Sequence, residues 1–135
     1  PGAKAFVDWL NCNFQVIILS DTFYEFSAPL MKQLGWPTLL CHRLETDENG
    51  IVIDYHLRQK DPKRAAVQAL HSLNYRIFAA GDSYNDTSML AEADVGFLFH
   101  APSNVKQEFP QFQAVDEYQD LQRLIAEASE REITL

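Results

Sequence analysis

The chain has 135 residues, of which 47% are hydrophobic and 22% charged, and its formal net charge at pH 7 is −8. This composition is typical of one globular domain of ordinary size, and it excludes a disordered, collagenous or coiled-coil protein. Apolar runs such as residues 16–19 are far shorter than the roughly 20 residues that cross a bilayer, which excludes a transmembrane protein. The negative charge repels phosphate backbones, so we expect no nucleic-acid partner.

Hydrophobic periodicity predicts alternating helices and strands in the first half of the chain. The predicted elements are a helix at 4–13, a strand at 14–19, a helix at 24–34, a strand at 38–44 and a strand at 51–57. Ser20-Asp21-Thr22 follow the first strand and are typical helix-cap residues. The Asn49-Gly50 turn indicates that a β-hairpin is inserted at residues 41–58.

The second half of the chain continues the alternation. The predicted elements are a helix at 63–73, a strand at 76–80, a helix at 87–93, a strand at 95–99, a helical turn at 104–108, an edge strand at 114–115 and a helix at 117–129. Short apolar strands alternating with helices favour an α/β fold with an open, mainly parallel sheet in three layers. Ligands of such sheets bind beyond the carboxyl ends of the strands, where Ser20 and Gly81-Asp82 lie.

A pair of carboxylates follows the strand that ends at Gly81. Asp82 comes directly after this strand, and Asp86 lies four residues later, near the start of the next helix. Two carboxylates at one strand end form a hard, oxygen-rich site that suits Mg²⁺. The alternative is structural, with Asp82 as a turn residue and Asp86 as a helix N-cap.

Two other segments carry groups that suit a phosphate. The Ser20 hydroxyl and nearby backbone N–H groups can bind a phosphate oxygen, although Ser20 or Thr22 can equally serve as a plain N-cap. The segment Gln59–Arg64 forms a cationic loop entering a helix. An ammonium group there can neutralise charge on a phosphoryl group, and the alternative is an exposed basic loop.

The cysteines and the last aromatic residues give weaker indications. Cys12 and Cys41 have neither disulfide-framework nor zinc-site spacing, so we expect buried free thiols and a cytoplasmic protein. Phe109, Phe112 and Tyr118 fit either core packing or an exposed surface that joins two copies of the chain in a homodimer.

Taken in chain order, these motifs resemble those of the haloacid dehalogenase-like phosphotransferases. Ser20 matches the second motif of that superfamily, Lys63 in Asp-Pro-Lys-Arg the third, and Asp82 with Asp86 the fourth. The longer peptides at residues 18–26, 57–64 and 99–102 are similar to the bifunctional phosphoserine phosphatase/homoserine phosphotransferase (ThrH) branch. The resemblance extends over essentially the whole chain.

The resemblance implies a Mg²⁺-dependent enzyme that takes a phosphoryl group from phosphoserine onto an aspartate and passes it to homoserine or water. By position, it assigns these roles: Ser20 and Lys63 hold the phosphoryl oxygens, Asp82 ligates the metal with support from Asp86, Asn85 faces the phosphate or substrate, and Asp21 contacts the substrate through its backbone. A plain phosphoserine phosphatase and a non-catalytic remnant that binds phosphate or metal, or dimerises, are the alternatives.

The sequence departs from the family at the nucleophile. The superfamily carries it in an Asp-x-Asp or Asp-x-Glu motif after its first strand, whereas Asp8 falls in a helical pattern and Asp47 and Asp54 in the hairpin. We therefore expect residues 1–135 to be the carboxyl-terminal two thirds of an enzyme, a core domain without its nucleophile strand and helical cap. Because that strand would lie centrally in the sheet, between the strands ending at Ser20 and Asp82, the chain alone is expected to be weakly stable or to associate.

The 135-residue chain by itself is predicted to transfer no phosphoryl group, because covalent catalysis needs the nucleophilic carboxylate. Phosphate release from phosphoserine, measured with the pure chain and Mg²⁺, checks this prediction. Turnover above the rate in buffer would contradict it.

Overall fold

The computed structural model describes residues 1–129. They fall into two compact units, one formed by Pro1–Pro62 and the other beginning at Lys63. Each unit contains a three-stranded sheet with parallel strands and helices that contact it. The α/β fold class with parallel strands is therefore confirmed.

The first unit combines parallel and antiparallel pairing in one sheet. Its elements are α1 (Ala3–Asn13), β1 (Ile17–Phe23), α2 (Tyr24–Gln33), β2 (Thr38–Thr46) and β3 (Val52–His56). β2 lies between β1 and β3, parallel to the first and antiparallel to the second. Its first residues pair with β1 and its last residues with β3, so the predicted hairpin is a continuation of β2 beyond the parallel pairing.

The end of β1 differs from the sequence prediction. The strand extends to Phe23, and α2 begins at Tyr24 with Phe23 as its N-cap and without a side-chain cap. The alternative in which Ser20 or Thr22 caps this helix is therefore wrong. The reason is that pairing with β2 resumes at Phe23, which keeps Ser20–Thr22 within the strand.

A small apolar cluster stabilises the first unit. Met31, Leu39 and Cys41 are buried, and Ile18 and Leu34 pack against them. Burial raises the pKa of the Cys41 thiol, which keeps it in the neutral form. The expectation of two buried thiols is right for Cys41 and wrong for Cys12, which is exposed on α1.

The second unit is built on an entirely parallel sheet. Its elements are α3 (Pro62–Ser72), β4 (Phe78–Gly81), a 3-10 turn (Tyr84–Asp86), α4 (Thr87–Glu92), β5 (Val95–Phe99), α5 (Ser103–Glu108), β6 (Gln113–Val115) and α6 (Tyr118–Ser129). The strand order is β4-β5-β6, with β6 at an edge as predicted. The core centres on Phe97 and Leu98 of β5 and Leu121 of α6, each at most 1% exposed.

The aromatic residues near the end of the chain contact one another within this unit. Phe109 stacks on Phe112 with ring centroids 6.3 Å apart, and Tyr118 packs 4.7 Å from Phe99. The side chains of Phe109, Phe112 and Tyr118 are all partly buried. Within residues 1–129, no helix has the length and apolar character needed to cross a membrane.

Candidate functional site

Strand β4 places Asp82 at the carboxyl end of the second unit's sheet. β4 and β5 pair in parallel from Phe78↔Val95 to Gly81↔Leu98, so both strands end at the same edge. Asp82 follows the last paired residue, and its side chain is exposed. This is the edge at which parallel sheets bind ligands.

Gly81 is required by the close approach of another side chain. A Cβ atom at this position would lie 2.4 Å from Cβ of Asp86 and 2.7 Å from its Oδ2. A Cβ atom does not come this close to atoms to which it is not bonded, so any side chain at position 81 would displace Asp86. The glycine thus lets the turn after β4 close tightly over the strand end.

The Asp86 carboxylate holds this turn together. Its Oδ2 accepts hydrogen bonds from the N–H of Asp82 at 2.9 Å and from the N–H and hydroxyl of Ser83 at 3.2 and 3.1 Å. Its Oδ1 accepts a hydrogen bond from Nζ of Lys63 at 2.7 Å. One carboxylate therefore fixes the strand end, the turn and the first residues of α3.

The charge of Asp86 is maintained inside the unit. Burial alone would raise the pKa of this carboxyl, since only 6% of the residue is exposed. The hydrogen bond and positive charge of Lys63, with the N–H groups of Asp82 and Ser83, outweigh burial and lower the pKa below the ordinary value of 3.8. Asp86 is therefore ionised at neutral pH and pairs with a Lys63 side chain that is only 13% exposed.

The two carboxylates predicted to share a metal have different environments. The oxygens of Asp86 already accept bonds from donors of this unit, whereas Asp82 is exposed beyond the strand end. An exposed carboxylate at this edge is a hard oxygen ligand and fits Mg²⁺. Asp86 fits the supporting role, because it orients the backbone of Asp82 and the ammonium of Lys63. Asn85 is exposed on the same turn.

Ser20 and Asp21 lie in the first unit, in a bulge of β1. Leu19 pairs with Leu40 and Phe23 with His42, so three residues of β1 stand opposite a single residue of β2. Backbone groups in such a bulge leave the regular ladder of hydrogen bonds. The Ser20 hydroxyl accepts a bond from the Thr22 N–H at 3.2 Å, and its own proton is a donor suited to a phosphate oxygen.

His42 is a residue of this region that the sequence analysis did not single out. It lies on β2 opposite Phe23, is 6% exposed, and places Nε2 3.8 Å from Oδ1 of Asp21. The parallel order of β1 and β2 is the signal that points to it, because parallel strands end at the same edge. Of the six predicted site residues, Lys63, Asp82, Asn85 and Asp86 belong to the second unit, and Ser20 and Asp21 to the first.

Comparison with known proteins decides the family. The model of the haloacid dehalogenase-like hydrolase family matches residues 1–91, a stretch that contains all six predicted site residues. The chain belongs to the haloacid dehalogenase-like hydrolase family.

Two curated relatives from Pseudomonas match almost the whole chain. The chain is 66% identical over 134 residues to a phosphoserine phosphatase of Pseudomonas syringae pv. tomato, covering 99% of this chain and 56% of that protein. It is 65% identical over 134 residues to the phosphoserine phosphatase ThrH of Pseudomonas aeruginosa, covering 99% of this chain and 65% of that protein. These matches confirm the resemblance to the ThrH branch. The chain spans only 56% and 65% of the lengths of these relatives.

A solved structure supports the fold. The crystal structure of phosphoserine phosphatase from T. onnurineus superposes with a TM-score of 0.70 at 26% identity, covering 93% of this chain and 57% of that chain.

Lys63→Met is predicted to destabilise the protein by about 3–5 kcal/mol, because it leaves a buried carboxylate without its cation. The matched control is Lys106→Met, which breaks the Lys106–Asp116 pair, whose side chains are 29% and 59% exposed. Removing that surface pair should cost at most about 1 kcal/mol. Urea unfolding of the intact protein at pH 7 measures both losses.

The pH dependence of this difference follows from the lowered pKa of Asp86. A carboxyl whose pKa is lower in the folded state stabilises fully above its unfolded pKa, and this stabilisation is lost as pH falls through the folded pKa. Without the Lys63 cation, Asp86 of the variant takes up its proton at a higher pH than Asp86 of the wild type, so the effect of Lys63→Met should be largest at neutral pH and shrink as the pH falls towards the lowered pKa of the wild type. Equal losses in the two variants at pH 7 would contradict the prediction.

Proposed function

We propose that this chain carries the phosphate- and metal-binding part of a Mg²⁺-dependent phosphotransferase that moves a phosphoryl group from phosphoserine to homoserine or water. The supporting observation is the buried Lys63–Asp86 pair beside the exposed Asp82 at the end of β4, in a chain of the haloacid dehalogenase-like family. The names of the two curated relatives support phosphoserine as the donor. Homoserine as an acceptor rests on the resemblance to the ThrH branch.

In this proposal, Lys63 and Ser20 bind the phosphoryl oxygens. The ammonium of Lys63 is held in place by Asp86, so its charge needs no reorganisation when negative charge shifts during transfer. The Ser20 hydroxyl and the N–H groups of the β1 bulge offer further hydrogen bonds to those oxygens. Asn85, exposed on the turn after β4, would face the phosphate or substrate.

Asp82 is the residue of this chain that would ligate Mg²⁺. Its carboxylate is exposed, and the Asp86 oxygens are bonded to Lys63 and to the turn. When bound, a magnesium ion neutralises charge on the phosphoryl oxygens. Asp86 contributes by fixing the Asp82 backbone.

The proposal assigns the nucleophilic carboxylate to a residue outside residues 1–135. Asp8 lies on α1 and Asp54 on β3, and Asp47 lies on the hairpin turn after the part of β2 that pairs antiparallel with β3. A carboxylate oxygen of the nucleophile would bond to phosphorus as the bond between phosphorus and the serine oxygen breaks. The serine oxygen then takes a proton. The hydroxyl of homoserine or water would attack the resulting acyl phosphate, lose its proton and release the carboxylate.

The test is an assay of the intact enzyme with phosphoserine and Mg²⁺, with and without homoserine. The wild type is expected to release serine and, with homoserine present, to form phosphohomoserine. Lys63→Met and Asp82→Asn should each lower kcat by about 100-fold or more, because each removes a charge that stabilises the transition state. Lys106 lies far from these motifs in sequence and is partly exposed, so Lys106→Met should keep the wild-type rate.

Each other outcome contradicts part of the proposal. Serine and phosphate without phosphohomoserine would identify a plain phosphoserine phosphatase. A lack of turnover by the wild type would favour a non-catalytic protein that binds phosphate or metal, or that dimerises.

A further inference from the structure

We infer that His42 is a positioning residue for the Ser20–Thr22 bulge of β1, which it orients through the carboxylate of Asp21. The inference rests on the proposed function, because it takes this bulge as part of the site that binds the phosphoryl donor. It adds a residue on a second strand to the binding of phosphoserine.

The hydrogen bonding of His42 determines which of its ring nitrogens faces Asp21. Nδ1 accepts a hydrogen bond from the Arg58 N–H at 3.2 Å, so it carries no hydrogen. A neutral imidazole has one donor and one acceptor nitrogen, and Nε2 must then carry the hydrogen. Nε2 lies 3.8 Å from Oδ1 of Asp21, so a donor faces a carboxylate.

Packing alone does not account for a histidine at this position. Only 6% of His42 is exposed, and a buried polar side chain costs free energy unless its polar atoms find partners. The Phe23 ring lies 5.9 Å from the imidazole and restricts its orientation. An apolar side chain would fill this space, but it would remove the acceptor of the Arg58 N–H and the donor that faces Asp21, so a polar role is the better explanation.

The bulge needs contacts of this kind because β2 does not hold it. Regular pairing stops at Leu19 and resumes at Phe23, so the ladder does not fix Ser20–Thr22. The bond between the Thr22 N–H and the Ser20 hydroxyl holds the bulge from within. The Nε2–H of His42, 3.8 Å from Oδ1 of Asp21, adds an electrostatic attraction between the bulge and β2. Because Asp21 lies between Ser20 and Thr22, its orientation also affects the hydroxyl and N–H groups on either side.

Two amide substitutions separate the functions of the two ring nitrogens. The amide of His42→Asn can replace Nδ1 and accept from the Arg58 N–H, but it is too short to reach Asp21. The longer amide of His42→Gln can replace Nε2 and donate to Asp21. Steady-state kinetics of the intact enzyme with phosphoserine and Mg²⁺ should show a KM raised about tenfold in His42→Asn, with kcat changed less than about twofold. His42→Gln should restore a KM close to that of the wild type.

A double-mutant cycle tests whether His42 acts through Asp21. If it does, His42→Asn in an Asp21→Asn background should change KM less than about twofold. His71→Asn is the matched control, because it removes another histidine–aspartate pair, to Asp94 at 2.9 Å, in the second unit. It should leave KM unchanged.

The outcomes distinguish this inference from the proposed function. A wild-type enzyme that turns over phosphoserine, with the same KM in all His42 variants, overturns the inference and leaves the function intact. An equal rise of KM in His42→Asn and His42→Gln, matched by equal losses of stability in urea, shows a structural role and also overturns it. Additive effects in the cycle contradict the route through Asp21. A wild type without turnover overturns the proposed function, and the inference with it.

Discussion

A single buried carboxylate organises the turn that follows β4. Asp86 accepts hydrogen bonds at both oxygens, and an ionised carboxylate is tolerated out of water only with such partners. This requirement fixes Lys63 at the start of α3 and excludes any side chain at Gly81. It also explains why the environments of two aspartates on one short turn differ: the oxygens of Asp86 accept hydrogen bonds from this unit, and Asp82 remains exposed at the strand end.

In the first unit, a bulge in β1 exposes the polar groups of Ser20–Thr22. There the pairing of β1 with β2 is interrupted, and the interruption contains Ser20 and Asp21, to which the resemblance assigns site roles. A bulge releases backbone donors from the ladder at the cost of local order. The Ser20 hydroxyl and His42 restore part of that order through side-chain contacts. In both units, then, polar groups after a parallel-paired stretch of strand are oriented by neighbouring side chains: Asp86 in the second unit, and the Ser20 hydroxyl and His42 in the first.

The sequence predicted which helices and strands form better than where each element ends and how the side chains pair. Apolar runs and helical spacing located β4, β5 and α6, since burial in a parallel sheet leaves a clear pattern. The predicted end of β1 was wrong because Ser20-Asp21-Thr22 have the propensities of helix caps, and pairing with β2 overrides them. The different environments of Asp82 and Asp86 depend on side-chain directions within one turn, which spacing does not reveal. Identifying His42 required knowing that β1 and β2 are neighbours in the sheet.

The central claim is that Asp86 holds Lys63 and the turn while Asp82 is left to bind a cation. A crystal structure of the intact enzyme with Mg²⁺ and a phosphate analogue tests it most directly. The account predicts an Asp82 oxygen about 2.0–2.1 Å from the ion, the distance typical of magnesium. It also predicts that Asp86 retains its bonds to Lys63 and to the N–H groups of Asp82 and Ser83. An ion bound away from Asp82, or an Asp86 carboxylate that has left Lys63 to bind the ion directly, would contradict it.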